Sequence, residues 1–98
     1  MKAGFELLPF DGLGEVNSVL RHGAEKHSPR FDAAAARSRV GDVNAALRHV
    51  GRWLDGAGAD EGSGCSHLAH AAARLLIALA CELRGVGVDD RVGGEHAR

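Results

Sequence analysis

His67 and His70 stand three residues apart at the head of SGCSHLAHAAARLLIALACELRG, residues 63–85. On a helix that spacing puts both imidazoles on one face with Cβ atoms about 5–6 Å apart, close enough to ligate one metal ion or face one anion. Arg74 follows one turn after His70 on the same face and is the only charge inside the apolar run. A guanidinium in such surroundings is costly unless it meets an anion. The head of the helix itself offers unpaired N–H groups and a positive dipole end, which suit a phosphate. The plainer alternative is that the histidines cap and pack while Arg74 pairs with an Asp or Glu.

His49, between Arg48 and Val50, joins this pair as a third imidazole if two successive helices pack antiparallel; alone it reads as a histidine at the rim of a packed stripe. Asp60 and Glu61, in the loop between those helices, are the hard oxygen donors that Mg²⁺ or Mn²⁺ prefers. Taken singly, each reads as an acid that keeps a glycine loop solvated. Glu15, Glu25 and Lys26, earlier in the chain, read by default as solvated charges. Cys65 lies two residues before His67, but no third residue is identifiable to orient it as a nucleophile. The chain has no glycine loop ending in Lys-Ser or Lys-Thr and no Cys-x-x-Cys pair, so neither a nucleotide P-loop nor a structural zinc site of that type is expected.

Three helical segments must position these groups. In LPFDGLGEVNSVLRHGAEKH, Asp11 is a plausible N-cap, Pro9 suits the entrance, and Leu13, Val16, Val19, Leu20, Gly23, Ala24 and His27 follow helical spacing. SPRFDAAAARSR, around Pro29, reads as an arginine- and alanine-rich connector. In GDVNAALRHVGRWLDG the expected apolar stripe is Val43, Ala46, Leu47, Val50, Trp53 and Leu54, with Asp42 near the N-terminus where the macrodipole favours a carboxylate. DGAGADEGSG (55–64) is an acidic, glycine-rich loop. The third helix, expected from about Ser66 to Leu83, is apolar nearly all round, as befits a central or interfacial helix. GVGVDDRVGGEHAR reads as a flexible tail over 86–98. No repeat and no strand pattern emerges, so the expected fold is all-α, one domain over residues 1–98 with three main helices per chain.

Composition limits what such a chain can do alone. Of its 98 residues 45% are hydrophobic, but seventeen of those are alanines and only three Phe and one Trp are aromatic. Alanine buries little area, and small chains bury a modest fraction of their surface. Self-association that completes a helical bundle is therefore expected. A formal charge of −1 leaves no footprint for duplex nucleic acid or an anionic membrane. Cys65 and Cys81, read as lying on one helix, would be separated by roughly 24 Å, beyond disulfide reach, which fits a reducing cytoplasm. MKAGFELLPF lacks the long apolar region and small-residue cleavage site of a secretory leader, and the run containing Arg74 is too short to span a bilayer.

The order of segments, FELLPFDGLGEVNSVLRHGAEKH, NAALRHVGRWLDG, SGCSHLAHAAARLLIALACEL and GVGVDDR, resembles the N-terminal domain family of phage dATP/dGTP diphosphohydrolases, from about Phe5 to Arg91. HLAHAA and HGAEKH carry the resemblance most specifically. In substrate class that family is similar to the all-α nucleotide pyrophosphatases of the MazG kind. The resemblance implies a helical, metal-assisted enzyme that converts purine deoxynucleoside triphosphates to monophosphates and pyrophosphate. Family-like positions are Glu15, Gly23, Ala24, Lys26, His49, Trp53, His67 and His70. His27 stands where the family usually has tyrosine, the connector after it lacks the family's aromatics, and the paired carboxylates of typical MazG-like enzymes are missing. On this basis His67, His70 and Glu25 are the expected catalytic groups, and Lys26, Arg74, Trp53 and Glu15 the substrate-binding ones. His49, His67, His70, Asp60 and Glu61 are the expected ligands of Mg²⁺ or Mn²⁺. The alternative function is a non-catalytic sponge for a purine nucleotide or a nucleotide-derived host-defence signal.

Overall fold

The structure, a computed structural model, describes residues 4–26 and 37–93, with the side chain of Lys26 outside that set. A 3-10 turn at Phe5–Leu7 precedes three helices: α1 (Phe10–Lys26), α2 (Arg39–Leu54) and α3 (His67–Arg84). There is no strand among the described residues, only isolated bridges between Ser38 and Val88 and between Ala59 and Ser66. The connector around Pro29 and His27 falls largely outside the described residues.

Each helix begins where a short polar side chain or a proline permits. The Pro9 carbonyl accepts the Leu13 N–H at the start of α1. Asp11 is therefore inside the first turn rather than at the N-cap, and its carboxylate accepts the Gly12 N–H at 2.7 Å. Ser38 caps α2 by accepting the Gly41 N–H at 2.8 Å, so α2 starts two residues earlier than its apolar pattern suggests. Ser66 caps α3 through the Leu68 N–H at 3.1 Å, which leaves Cys65 just outside the helix. Gly85 ends α3 at φ 69°, a left-handed conformation that only glycine adopts cheaply.

α3 is the centre: α1 and α2 each pack against it, and among the described residues they do not pack against one another. Arg39 bonds the Cys81 carbonyl, Asp42 meets Arg74, and His49 meets His67, so α2 and α3 run antiparallel. The interior is made of small side chains: Ala45, Ala46, Ala69, Ala71 and Ala73 are buried, with Val16, Ile77 and Cys81. Leu20 of α1 packs on Ile77 and Cys81.

The inward face of α2 corrects the expected stripe. Asp42, Ala45, Ala46 and His49, at i, i+3, i+4 and i+7, face α3, whereas Val43, Leu47, Trp53 and Leu54 are exposed. Alanines let the two backbones approach closely, and Asp42 needs the interior because its partners are there. The Arg37 guanidinium donates to both Asp42 oxygens at 2.7 and 2.8 Å, and Arg74 donates to Oδ1 at 2.6 Å. α3 likewise turns Leu68, Leu75, Leu76, Leu79 and Leu83 outward.

The stretch after α3, whose sequence suggested a tail, returns to the N-terminus of α2 through Val88, Asp89 and Asp90. Val88 exchanges backbone bonds with Arg37 and Arg39 at 2.8 and 3.1 Å. Asp90 accepts the Ser38 hydroxyl at 2.6 Å and the Val40 N–H at 3.0 Å, adding negative charge at the positive end of the helix.

The Asp42 side chain is 3% exposed against 29% for Arg37 and 43% for Arg74. Removing the carboxylate leaves two partly exposed guanidiniums facing each other without their shared counter-charge, whereas removing Arg74 leaves Asp42 its other partner. Asp42→Ala is expected to cost about 3 kcal/mol. Arg74→Ala, with its half-exposed charge, is expected to cost about 1 kcal/mol or less. Urea unfolding of the two variants checks this order.

Candidate functional site

Three elements converge at the end of the α2–α3 seam. α2 supplies His49, the first turn of α3 supplies His67 and His70, and the loop between them supplies Asp60 and Ser63. The loop is folded around Asp60. Its Oδ2 accepts the backbone N–H groups of Gly62 and Ser63, each at 3.1 Å. Its own N–H donates to the Cys65 carbonyl at 2.8 Å, and its carbonyl accepts the Gly64 N–H at 2.7 Å. A carboxylate one methylene from the backbone is the length needed to close such a turn. Gly64 takes φ 76° to bring the chain back toward Ser66.

The imidazoles touch. Nδ1 of His49 and Nδ1 of His67 are 2.9 Å apart, and the His49 ring stacks on His70 with centroids 4.6 Å apart and planes 15° from parallel. Nε2 of His70 is 2.6 Å from the Ser63 hydroxyl and 3.7 Å from Asp60 Oδ2. The same hydroxyl accepts the Cys65 N–H at 3.1 Å, so its rotation is restricted. His67 is buried at 5% exposure. One donor atom from each of His49, Asp60 and His67 lies within 4.8 Å of the others, so these three could hold a metal ion.

Burial is the main reason His49 and His70 titrate below the usual imidazole value. For His49 the neighbouring charges of His70 and His67 add to it against Asp60. For His70 the attraction of Asp60 is outweighed by burial together with His67, His22 and Arg74. Burial pushes Asp60 the other way, but the Ser63 N–H, the His70 ring, the Ser63 hydroxyl and the Gly62 N–H hold it below the usual carboxylate value. His49 and His70 are thus favoured as free bases beside an ionised Asp60 at neutral pH.

Of the residues singled out in the sequence, His49, Asp60, His67 and His70 come together. Glu61 is exposed in the turn and is not among the three converging donors. Arg74 is one turn beyond His70, with its guanidinium on Asp42. Trp53, one turn past His49, is 46% exposed. Glu15 and Glu25 are exposed on α1, and Glu25 lines an open depression with Ser18, Arg21 and His22. Lys26 is the last residue of α1, and its side chain falls outside the described set. Three contributors were not anticipated: Ser63, His22 and the double pairing of Asp42. Ser63 had a legible signal, because a serine three residues after an aspartate in a glycine loop is placed by the turn that the aspartate closes.

The lowered His49 and His70 values fix the sign of a pH effect. Between the folded value and 6.5 the unfolded chain binds more protons, so stability rises with pH across that window. The contribution is complete above 6.5 and is lost as the pH falls from there through the folded values. Imidazole proton resonances of His49 and His70 are expected to titrate below 6.5, and urea midpoints to fall on acidification from pH 7 to 5.5.

Among the described residues, no helix is long and apolar enough to cross a membrane. No curated protein and no solved structure matches the chain. A family model described as dATP/dGTP diphosphohydrolase, N-terminal, matches residues 1–91, which takes in all three helices and the whole histidine cluster. The chain belongs to the dATP/dGTP diphosphohydrolase N-terminal family.

Proposed function

We propose that the chain is a metal-dependent pyrophosphohydrolase that binds purine deoxynucleoside triphosphates at the histidine cluster and converts them to monophosphates and pyrophosphate. The observation that carries this reading is the convergence of His49, His67, His70 and Asp60 from three elements in a chain of this family. The donors suit a divalent ion: two imidazole nitrogens and a carboxylate held ionised by its own turn. His49, His67 and Asp60 would hold that ion, which would supply positive charge to phosphate oxygens and lower the pKa of a bound water.

The remaining groups have separable tasks. We assign proton transfer to His70, whose Nε2 is 2.6 Å from the Ser63 hydroxyl, so that a proton taken at that atom would pass through the hydroxyl. Arg37, Asp42 and Arg74 together keep one net positive charge, and the half-exposed Arg74 side chain offers it to phosphate. Glu15, Lys26 and Trp53 are assigned to the substrate surface on the strength of the family pattern, and Glu25, exposed on α1, keeps its assignment as a catalytic group. The site has a single carboxylate where paired acids are usual for metal-dependent cleavage. That favours, as a second reading, sequestration of an intact nucleotide.

The outward leucines support association of identical chains. Val43, Leu47 and Leu54 run along α2 at i, i+4 and i+11, and Leu68, Leu75, Leu79 and Leu83 run along α3. Covering these faces with a second copy supplies the apolar burial that the alanine interior lacks. Native mass spectrometry is expected to show an oligomer, and Leu47→Asp with Leu79→Asp is expected to shift it to the monomer.

Chromatography of dATP and dGTP incubated with the protein and Mn²⁺ or Mg²⁺ tests the activity. Monophosphate and pyrophosphate are expected, and His67→Ala should reduce their formation at least about 100-fold with the helical circular dichroism retained. Nucleotide that co-purifies intact and yields no product would replace hydrolysis with sequestration. Absence of both binding and turnover would remove the nucleotide reading.

A further inference from the structure

We infer that His49, Asp60 and His67 form a site for a zinc-class transition ion, one that prefers imidazole ligands, rather than for Mg²⁺. This rests on the reading of the cluster as a divalent-ion site and narrows the ion it takes.

Donor chemistry is the first ground. Mg²⁺ binds almost entirely through oxygen and keeps much of its water, whereas zinc, cobalt and related ions bind imidazole well. Two of the three converging donors are imidazole nitrogens.

Spacing is the second. Two ligands bound at about 2.1 Å are about 3.0 Å apart when they subtend a right angle at the ion and about 3.4 Å apart at the tetrahedral angle. The Nδ1 atoms of His49 and His67 are 2.9 Å apart, which matches ligands at a right angle on a five- or six-coordinate ion and is shorter than the tetrahedral separation. They reach this from different helices.

The third ground is support around the ligands. Asp60 Oδ2 is committed to the Gly62 and Ser63 N–H groups, while Oδ1 accepts no hydrogen bond among the described residues. His49 is braced by stacking on His70, and His70 is fixed by Ser63. Such outer contacts hold first ligands in place and set their affinity. Three protein ligands would leave the remaining coordination positions to water or phosphate oxygens.

The competing account of the same distance is a simple hydrogen bond, in which one ring carries a proton on Nδ1 and the other accepts it. Cobalt(II) spectroscopy separates the two without relying on turnover. The metal-stripped full chain is titrated with Co²⁺, then challenged with Zn²⁺ and with a large excess of Mg²⁺. Visible ligand-field bands are expected to saturate at one ion per chain, to vanish with stoichiometric Zn²⁺ and to survive Mg²⁺. His49→Ala and Asp60→Asn should each weaken Co²⁺ binding at least about tenfold. His49 is the informative histidine because it is only half-buried and its loss spares the fold more than that of buried His67.

Absence of bands, displacement by Mg²⁺, or Co²⁺ affinity unchanged in both variants would overturn the inference and leave the hydrogen bond. Hydrolysis of dATP with Mg²⁺ by a protein that ignores Co²⁺ would overturn this inference alone. Co²⁺ binding by a protein that neither binds nor cleaves dATP would uphold it and overturn the nucleotide reading.

Discussion

The carboxylate of Asp42 is the fixed point of this molecule. It is almost wholly buried, and a buried carboxylate has to be met by charge and hydrogen bonds from several directions. Arg37 reaches it from the approach to α2 and Arg74 from the middle of α3. Once Asp42 and Arg74 are paired, the antiparallel helices have one register. His49 is seven residues beyond Asp42, and His67 is seven residues before Arg74. Each interval is two turns of helix, about 10.5 Å along the axis and back to the same face. The two imidazoles must therefore meet. An apolar seam of alanines would tolerate sliding; a seam with one ion pair does not.

That register explains what was legible in the sequence and what was not. The three helices were legible because helical periodicity and the breaks between helices are local properties, although the N-cap read at Asp11 falls inside the first turn; the His67–His70 pair was legible because i, i+3 spacing is local too. The demand of Arg74 for a negative partner was legible too, but a single sequence left open whether a phosphate or a protein carboxylate meets it. The inward face of α2 was not legible. Ranking side chains by hydrophobicity places Val43, Leu47, Trp53 and Leu54 inside, but close approach of the two helices selects Ala45 and Ala46 around Asp42. Nor could composition separate Asp60 from Glu61. The shorter side chain reaches its own turn and the longer one does not, so geometry makes the choice.

The outward leucines are the other half of the same constraint. A face that admits only small side chains at the α2–α3 contact has to put its large apolar residues elsewhere. The result is a chain whose interior rests on alanine, Val16, Ile77 and Cys81 while both α2 and α3 carry leucine on the other side. Alanine contributes a fraction of the transfer free energy of leucine. Charge pairing, capping by Ser38, Ser66 and Asp90, and the return of Val88 to α2 therefore bear more of the specification than in a larger core.

The cluster is built from histidine for a related reason. A group of carboxylates at the end of an alanine seam would repel one another and lose hydration, and each would tend to take up a proton. Imidazoles escape that penalty because they are neutral when their pKa is lowered, which burial does for His49 and His70. His49 stacks on His70 at 4.6 Å, and its Nδ1 lies 2.9 Å from that of His67. One carboxylate is then affordable, provided its charge is held elsewhere, and the backbone N–H groups of Gly62 and Ser63 do that for Asp60. A centre assembled in this way brings imidazole nitrogens together with only one carboxylate. On the proposed reading it accepts a cation while remaining open to the phosphates of a nucleotide.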